Sequence, residues 1–320
     1  MADKKNPPSV SQQEHDLRHK PIGPLLMQLA IPAIVAKLVN ALYNIVDRIY
    51  IGNIPEQGGL LLTGVGVTFA IIILINACTA LIGAGGAPIL SMHLGRGEHK
   101  EASHILNESF VYLIAFSLIL MPLILLTQNK TLYWFGASDQ TFPHAKNYLT
   151  IYTFGTPFVM ISLGMNYFIN AQGLARQGMI SVLIGAITNI VLDPIFIFAL
   201  DLNVKGAALA TVISQACSAF YALYILTRKT TAVRLDLSTL LKTRGQHLAA
   251  ITALGVSPFI MQATEGILQL VQNSTLQRYG GDQAVGAMII FGSLTQFIML
   301  PTAGLTQGAQ AITSYNFGAG

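Results

Sequence analysis

Apolar blocks of about twenty residues or more, parted by short polar or turn-rich breaks, make up most of this 320-residue chain. A helix of ~20 apolar residues crosses a hydrocarbon core of ~30 Å. A soluble chain of this size would instead show amphipathic, interrupted periodicity. Charged residues are 10% of the total and hydrophobic ones 52%, against ~25% charged in an ordinary soluble domain. Eight blocks are legible, roughly 24–52, 63–94, 105–127, 144–170, 179–200, 206–228, 248–277 and 284–316. The sequence therefore predicts an all-α, polytopic membrane bundle.

Direction follows from the positive charges. The first 20 residues are polar and lack an apolar signal core, so they are expected to stay as a cytoplasmic tail. On that side fall twelve Lys and Arg, from Lys4 to Arg244, against four on the other, Lys130, Lys146, Lys205 and Arg278. Cytoplasmic loops carry the excess of positive charge, which places a multi-pass protein in the plasma (inner) membrane with its N-terminus inside. The same residues sit in short loops and not along a groove, so the net charge of +4 does not point to nucleic acid. Cys78 and Cys217 lie inside apolar blocks, with no disulfide or zinc spacing.

Seven of the eight blocks carry a proline: Pro32, Pro88, Pro122, Pro157, Pro194, Pro258 and Pro301. Each removes a backbone donor and bends its helix. Bent helices around a cavity are the build of transporters and channels.

The chain also repeats itself. "AIPAIVAKLVNALYNIVD" (30–47) aligns with "VSPFIMQATEGILQLVQN" (256–273), placing Asn273 opposite Asp47. "GGAPILSMHLGRG" (85–97) aligns with "GAQAITSYNFGAG" (308–320), pairing Gly85 with Gly308, Ser91 with Ser314, Gly95 with Gly318 and Gly97 with Gly320. The division that follows is a tail (1–20), a six-helix lobe (21–228), a cytoplasmic linker (229–247) and two helices of a second lobe (248–320). A parallel repeat of this kind has its axis along the membrane normal. Since the second copy holds two helices, the expectation is a longer protein with about four more spans.

Four stretches carry a resemblance: "YNIVDRIYIG", "GAGGAPILSMHLGRGE", "TNIVLDPIFIFALDLNVKGAALATVIS" and "TSYNFGAG". From about residue 20 to residue 320 the chain resembles the MATE transporters (multidrug and toxic compound extrusion). That branch belongs to a larger family that includes lipid-linked sugar flippases. The resemblance implies two six-helix lobes around a central cavity, with cation influx driving export of amphipathic organic compounds.

Asp193 is the costliest residue in this scheme. A carboxylate at membrane depth costs ~2.5–3.5 kcal/mol even on insertion scales. At ~1.5 Å per residue, Asp193 lies ~12 Å from the outer end of its span, and Asp47 and Thr211 each lie ~9 Å in. Asn189 is one turn from Asp193, and Tyr43 one turn from Asp47. Two carboxylates, an amide oxygen and a hydroxyl at one level suit a hard monovalent cation or a shared proton, because paired carboxylates repel unless one is neutralised. The resemblance carries the coupling-cation site of the first lobe onto Asp47, Asn189, Asp193 and Thr211, with Tyr43 beside them, as Na⁺ ligands if sodium is the coupling ion. The alternative role for Asp193 is a cap on the Pro194 kink. Arg48 follows Asp47 but points ~100° away around the helix, toward the interface.

Further candidates for substrate or cation handling are Glu265, Lys37, Asn273, Met160 and Asn166. Glu265 sits mid-span, near where some MATE branches carry an acidic residue; it is open to a functional role or to pairing with Lys37. Lys37 departs from the family pattern and leaves the charge of the substrate open. Met160 and Asn166 lie on an aromatic and polar stretch readable as core or as a promiscuous pocket wall. "GAGGAP" has neither the preceding strand nor the Gly-Lys-Ser of a phosphate loop, so it reads as helix packing through small residues.

The leading function is a cation-coupled (Na⁺ or H⁺) antiporter for amphipathic compounds. It needs no cofactor beyond the coupling ion, binds a small molecule within the lipid bilayer, and is expected to be a monomer. A flippase for a lipid-linked intermediate is the second reading, although it calls for more basic residues in the cavity. A membrane-embedded enzyme is third, since the chain has no HExxH, no DDxxD and no histidines at the depth of Asp193.

Overall fold

The computed structural model describes residues 10–55, 58–228, 231–236 and 245–320, excluding the side chains of 10–14 and of scattered positions between 269 and 297. Among the described residues all regular structure is helical: α1 (Val10–His19), α2 (Ile22–Gly52), α3 (Gly58–Gly95), α4 (His99–Trp134), α5 (Phe142–Phe154), α6 (Thr156–Ala171), α7 (Ala175–Pro194), α8 (Asn203–Thr227) and α9 (Leu248–Ala319). Among the described residues six helices are long and apolar enough to span a membrane, and α5 with α6 makes a seventh, bent span. Leu118, Ile119, Leu123 and Leu126 of α4 are exposed, as a lipid-facing surface requires.

Two predicted spans are broken as their prolines dictate. Block 144–170 bends by 59° between α5 and α6. Pro157 has no N–H to continue the ladder, and the bend brings Gly155 against the Val212 side chain of α8. After Pro194, α7 passes into a π-helical turn, Ile195–Ala199, closed by Leu200 N–H donating to the Ile195 carbonyl at 2.9 Å. The π turn follows from the donor that Pro194 lacks.

The last two blocks differ from expectation. The sequence predicts two helices with a break near 278–283, whereas α9 is helical over all of its 72 residues. Straight, it would measure ~108 Å. Its contacts show that it doubles back. Gly255 meets Leu81, and Gly266 meets Ile73, so this part runs antiparallel to α3. Gly304 then meets Ile34 and Gly308 meets Ala30, so the later part runs antiparallel to α2. The reversal lies between Gly266 and Gly304, within helical backbone and not in a loop.

These contacts give the repeat a geometric meaning. A Cβ on Gly95 would strike the Tyr315 carbonyl, and a Cβ on Gly318 would strike the Met92 carbonyl. In the repeat register Gly95 corresponds to Gly318 and Met92 to Tyr315. Each contact is thus the other's counterpart in that register. The "GAGGAP" stretch does pack helices: Gly85 lies against Ile251 and Gly255, and Gly86 against Phe168 and Ser109.

Candidate functional site

Asp47 sits one turn before the end of α2, and Asp193 directly before Pro194 at the end of α7. Both are buried, at 7% and 0% exposure. The helices α2 and α7 pack on each other, and the two carboxyl groups are adjacent. Asn189 Nδ2 donates to Asp193 Oδ1 at 3.3 Å. Three buried oxygens in this cluster have no hydrogen-bond partner: Asp47 Oδ1, Asp193 Oδ2 and Asn189 Oδ1. Buried acceptors without donors are costly, and three together mark a place that a proton or a cation would stabilise.

The kink-cap role for Asp193 finds no support in its bonding. Its Oδ1 is held by the Asn189 side chain and its Oδ2 by nothing, so no backbone donor freed by Pro194 reaches it.

Thr211 of α8 is buried at 8% exposure, and its hydroxyl donates to the Ala207 carbonyl at 3.0 Å. That leaves its lone pairs as acceptors. Tyr148 of α5 lies against both Thr211 and Asp47, joining α8 to α2. Tyr43 lies near both aspartates and beside Gln215 of α8, and Ser162 of α6 donates to Gln215 Oε1 at 2.8 Å. Tyr152 stacks on Tyr148, with centroids 6.2 Å apart. The sequence reading missed Tyr148, Tyr152 and Gln215. The one available signal was the one-turn spacing of the two tyrosines on a span whose rotation only the 59° bend decides.

The remaining candidates disperse. Glu265 is exposed on α9 and Lys37 half-buried on α2, and no ion pair joins them. Met160 is fully buried in the core. Asn166 Nδ2 donates to the Gly178 carbonyl at 2.9 Å and accepts from Asn170, fastening α6 to α7. The side chain of Asn273 lies outside the described residues. Arg48 is exposed with its guanidinium 4.6 Å from the Phe69 ring centroid, and its charge still acts on Asp47. Among the described residues no three His, Cys, Asp or Glu gather as metal ligands. Two carboxylates with neutral oxygens are the donor set that a hard cation takes.

Comparison with known proteins identifies the family. The MatE family profile matches residues 32–195 and 257–320. The multidrug export protein MepA of Staphylococcus aureus (strain NCTC 8325 / PS 47) is 28% identical over 306 residues, covering 96% of this chain and 67% of MepA. The solved MATE multidrug transporter DinF-BH superposes with a TM-score of 0.85 at 31% identity, over 94% of this chain and 67% of that one. An outward-facing multidrug resistance MATE transporter superposes with a TM-score of 0.87 at 24% identity, which bears on the fold alone. The chain spans about two thirds of the length of the relatives it matches.

Proposed function

The chain belongs to the MatE family and is a transporter and not an enzyme, and from that premise we propose that it acts in cation-coupled export of amphipathic small molecules. The observation that carries the coupling is the buried Asp47–Asp193 pair with its three unpartnered oxygens. Asp47, Asn189, Asp193 and Thr211 would hold Na⁺, or the aspartates would share a proton. Either event neutralises the same repulsion, so either can drive α2 against α7. Tyr43 and Tyr148 would tie that movement to α8 and α5. MepA, a multidrug export protein, supports the substrate class.

In this proposal the end of the bundle that carries α1 faces the cytoplasm, in the inner membrane, and the protein acts as a monomer. The test is dye efflux from everted vesicles under an imposed Na⁺ gradient and, separately, an imposed pH gradient. Efflux indifferent to both would remove the coupling.

A further inference from the structure

A third buried carboxylate, Glu108, sits at the α1 end of the bundle, away from the Asp47–Asp193 pair. Glu108 of α4 is 3% exposed. Its Oε1 accepts from the backbone N–H of Gln246 at 3.2 Å, and its Oε2 from that of His247 at 3.1 Å. The Tyr112 hydroxyl lies 3.5 Å from Oε2. A carboxylate on α4 thus holds the N-terminus of α9, where unsatisfied N–H groups and the helix dipole favour an anion.

The His247 ring lies between two carboxylates. Its Nδ1 is 3.4 Å from Glu108 Oε2, and its Nε2 is 3.6 Å from Glu101 Oε2. Neutral imidazole carries one N–H and can satisfy only one of these oxygens; imidazolium satisfies both. Nδ1 is buried and without a hydrogen-bond partner. His93, at the end of α3, stands edge-on to His247 with centroids 6.4 Å apart and its Nδ1 2.5 Å from Glu98 Oε2. Arg96, Lys100 and Arg234 add positive charge at the same end.

The chain leading into α9 is strapped down as well. Val233 N–H donates to Gln172 Oε1 at 3.0 Å and Asp236 N–H to Asn107 Oδ1 at 3.1 Å. One turn past His247, Ile251 is fully buried against α3.

We propose that Glu108 and His247 form a proton-sensitive latch between α4 and α9. With His247 protonated, both ring nitrogens donate and the start of α9 is locked onto α4. With the ring neutral, one carboxylate contact is lost and the α3–α9 seam parts more readily. The protonated ring serves both carboxylates and the neutral ring only one, so the latch is tight on the acidic side and loosens as pH rises. On the orientation and export proposed above, on which this role rests, an acidic cytoplasm would slow opening of the transporter toward it.

The test is thiol labelling in everted vesicles carrying the full chain, with Cys78 and Cys217 replaced by alanine. Ile251→Cys reports the seam, and Arg18→Cys, exposed on α1, cancels the intrinsic pH dependence of the thiol. The labelling ratio of the two should rise about three- to ten-fold from pH 6 to pH 8. With His247→Gln it should be high and flat, while His93→Gln keeps the rise. Glu101→Gln, which leaves the Glu108 cap intact, should shrink the rise. A ratio flat in the parent chain, or a rise that survives His247→Gln, would overturn the latch. Labelling needs neither substrate nor coupling ion, so failure of the efflux assay would leave this result standing.

Discussion

Replacing Asp193 with asparagine separates charge from shape at the proposed coupling site. The side chain is fully buried, and Asn189 Nδ2 can donate to an asparagine oxygen as it does to Asp193 Oδ1. What is lost is one negative charge. A carboxylate ~4 Å from a monovalent cation gains ~4 kcal/mol at an effective dielectric constant of ~20. An amide oxygen returns roughly half of that, so the variant should bind the coupling cation weaker by ~2 kcal/mol, about 30-fold. Without cation the variant should be no less stable than the parent. It lacks the repulsion from Asp47, and the unpartnered Oδ2 is replaced by a neutral group. Thermal unfolding in detergent, with and without added Na⁺, measures both quantities, because a ligand that binds only the folded state raises the midpoint with the logarithm of its affinity. Cation stabilisation equal to that of the parent would refute the reasoning. So would a marked drop in the cation-free midpoint, which would assign Asp193 to packing.

Asp47→Asn should reproduce the loss of cation stabilisation, and Thr211→Val should weaken it only several-fold, since a neutral ligand is worth ~1 kcal/mol; the same titration ranks all three. Gly95→Leu and Gly318→Leu should each destabilise the α3–α9 seam by several kcal/mol, because backbone carbonyls block the new side chain. Gly66→Ala, with open space around its Cα, should be neutral or stabilising by ~0.5–1 kcal/mol in its helix; unfolding midpoints decide both. A cysteine within "TLLKTRG" (239–245) should resist impermeant reagents added to intact cells, and ready labelling there would reverse the proposed orientation.

The spans, their prolines and the costly Asp193 were legible in the sequence because each is set by a local rule. Block length against bilayer thickness, the missing N–H of proline and the penalty on a buried carboxylate all act wherever the residue sits. Asp47, Asn189 and Thr211 could be matched in depth because helical rise is constant. The repeat register could be counted as well, and the reciprocal contacts of Gly95 and Gly318 agree with it. What depth cannot supply is rotation about each helix axis. Tyr148 reaches Asp47, with Tyr152 stacked on it, from a span that bends by 59° at Gly155, and packing buries Met160 in the core while Glu265 is left exposed. Helical backbone continues through the reversal in α9, although the local turn signals there predict a break. Asn107, Glu108 and Gln172 meet backbone groups more than 60 residues away in the chain. No local periodicity encodes such pairings, because each depends on which helix faces are left to bury one another once all the spans are packed.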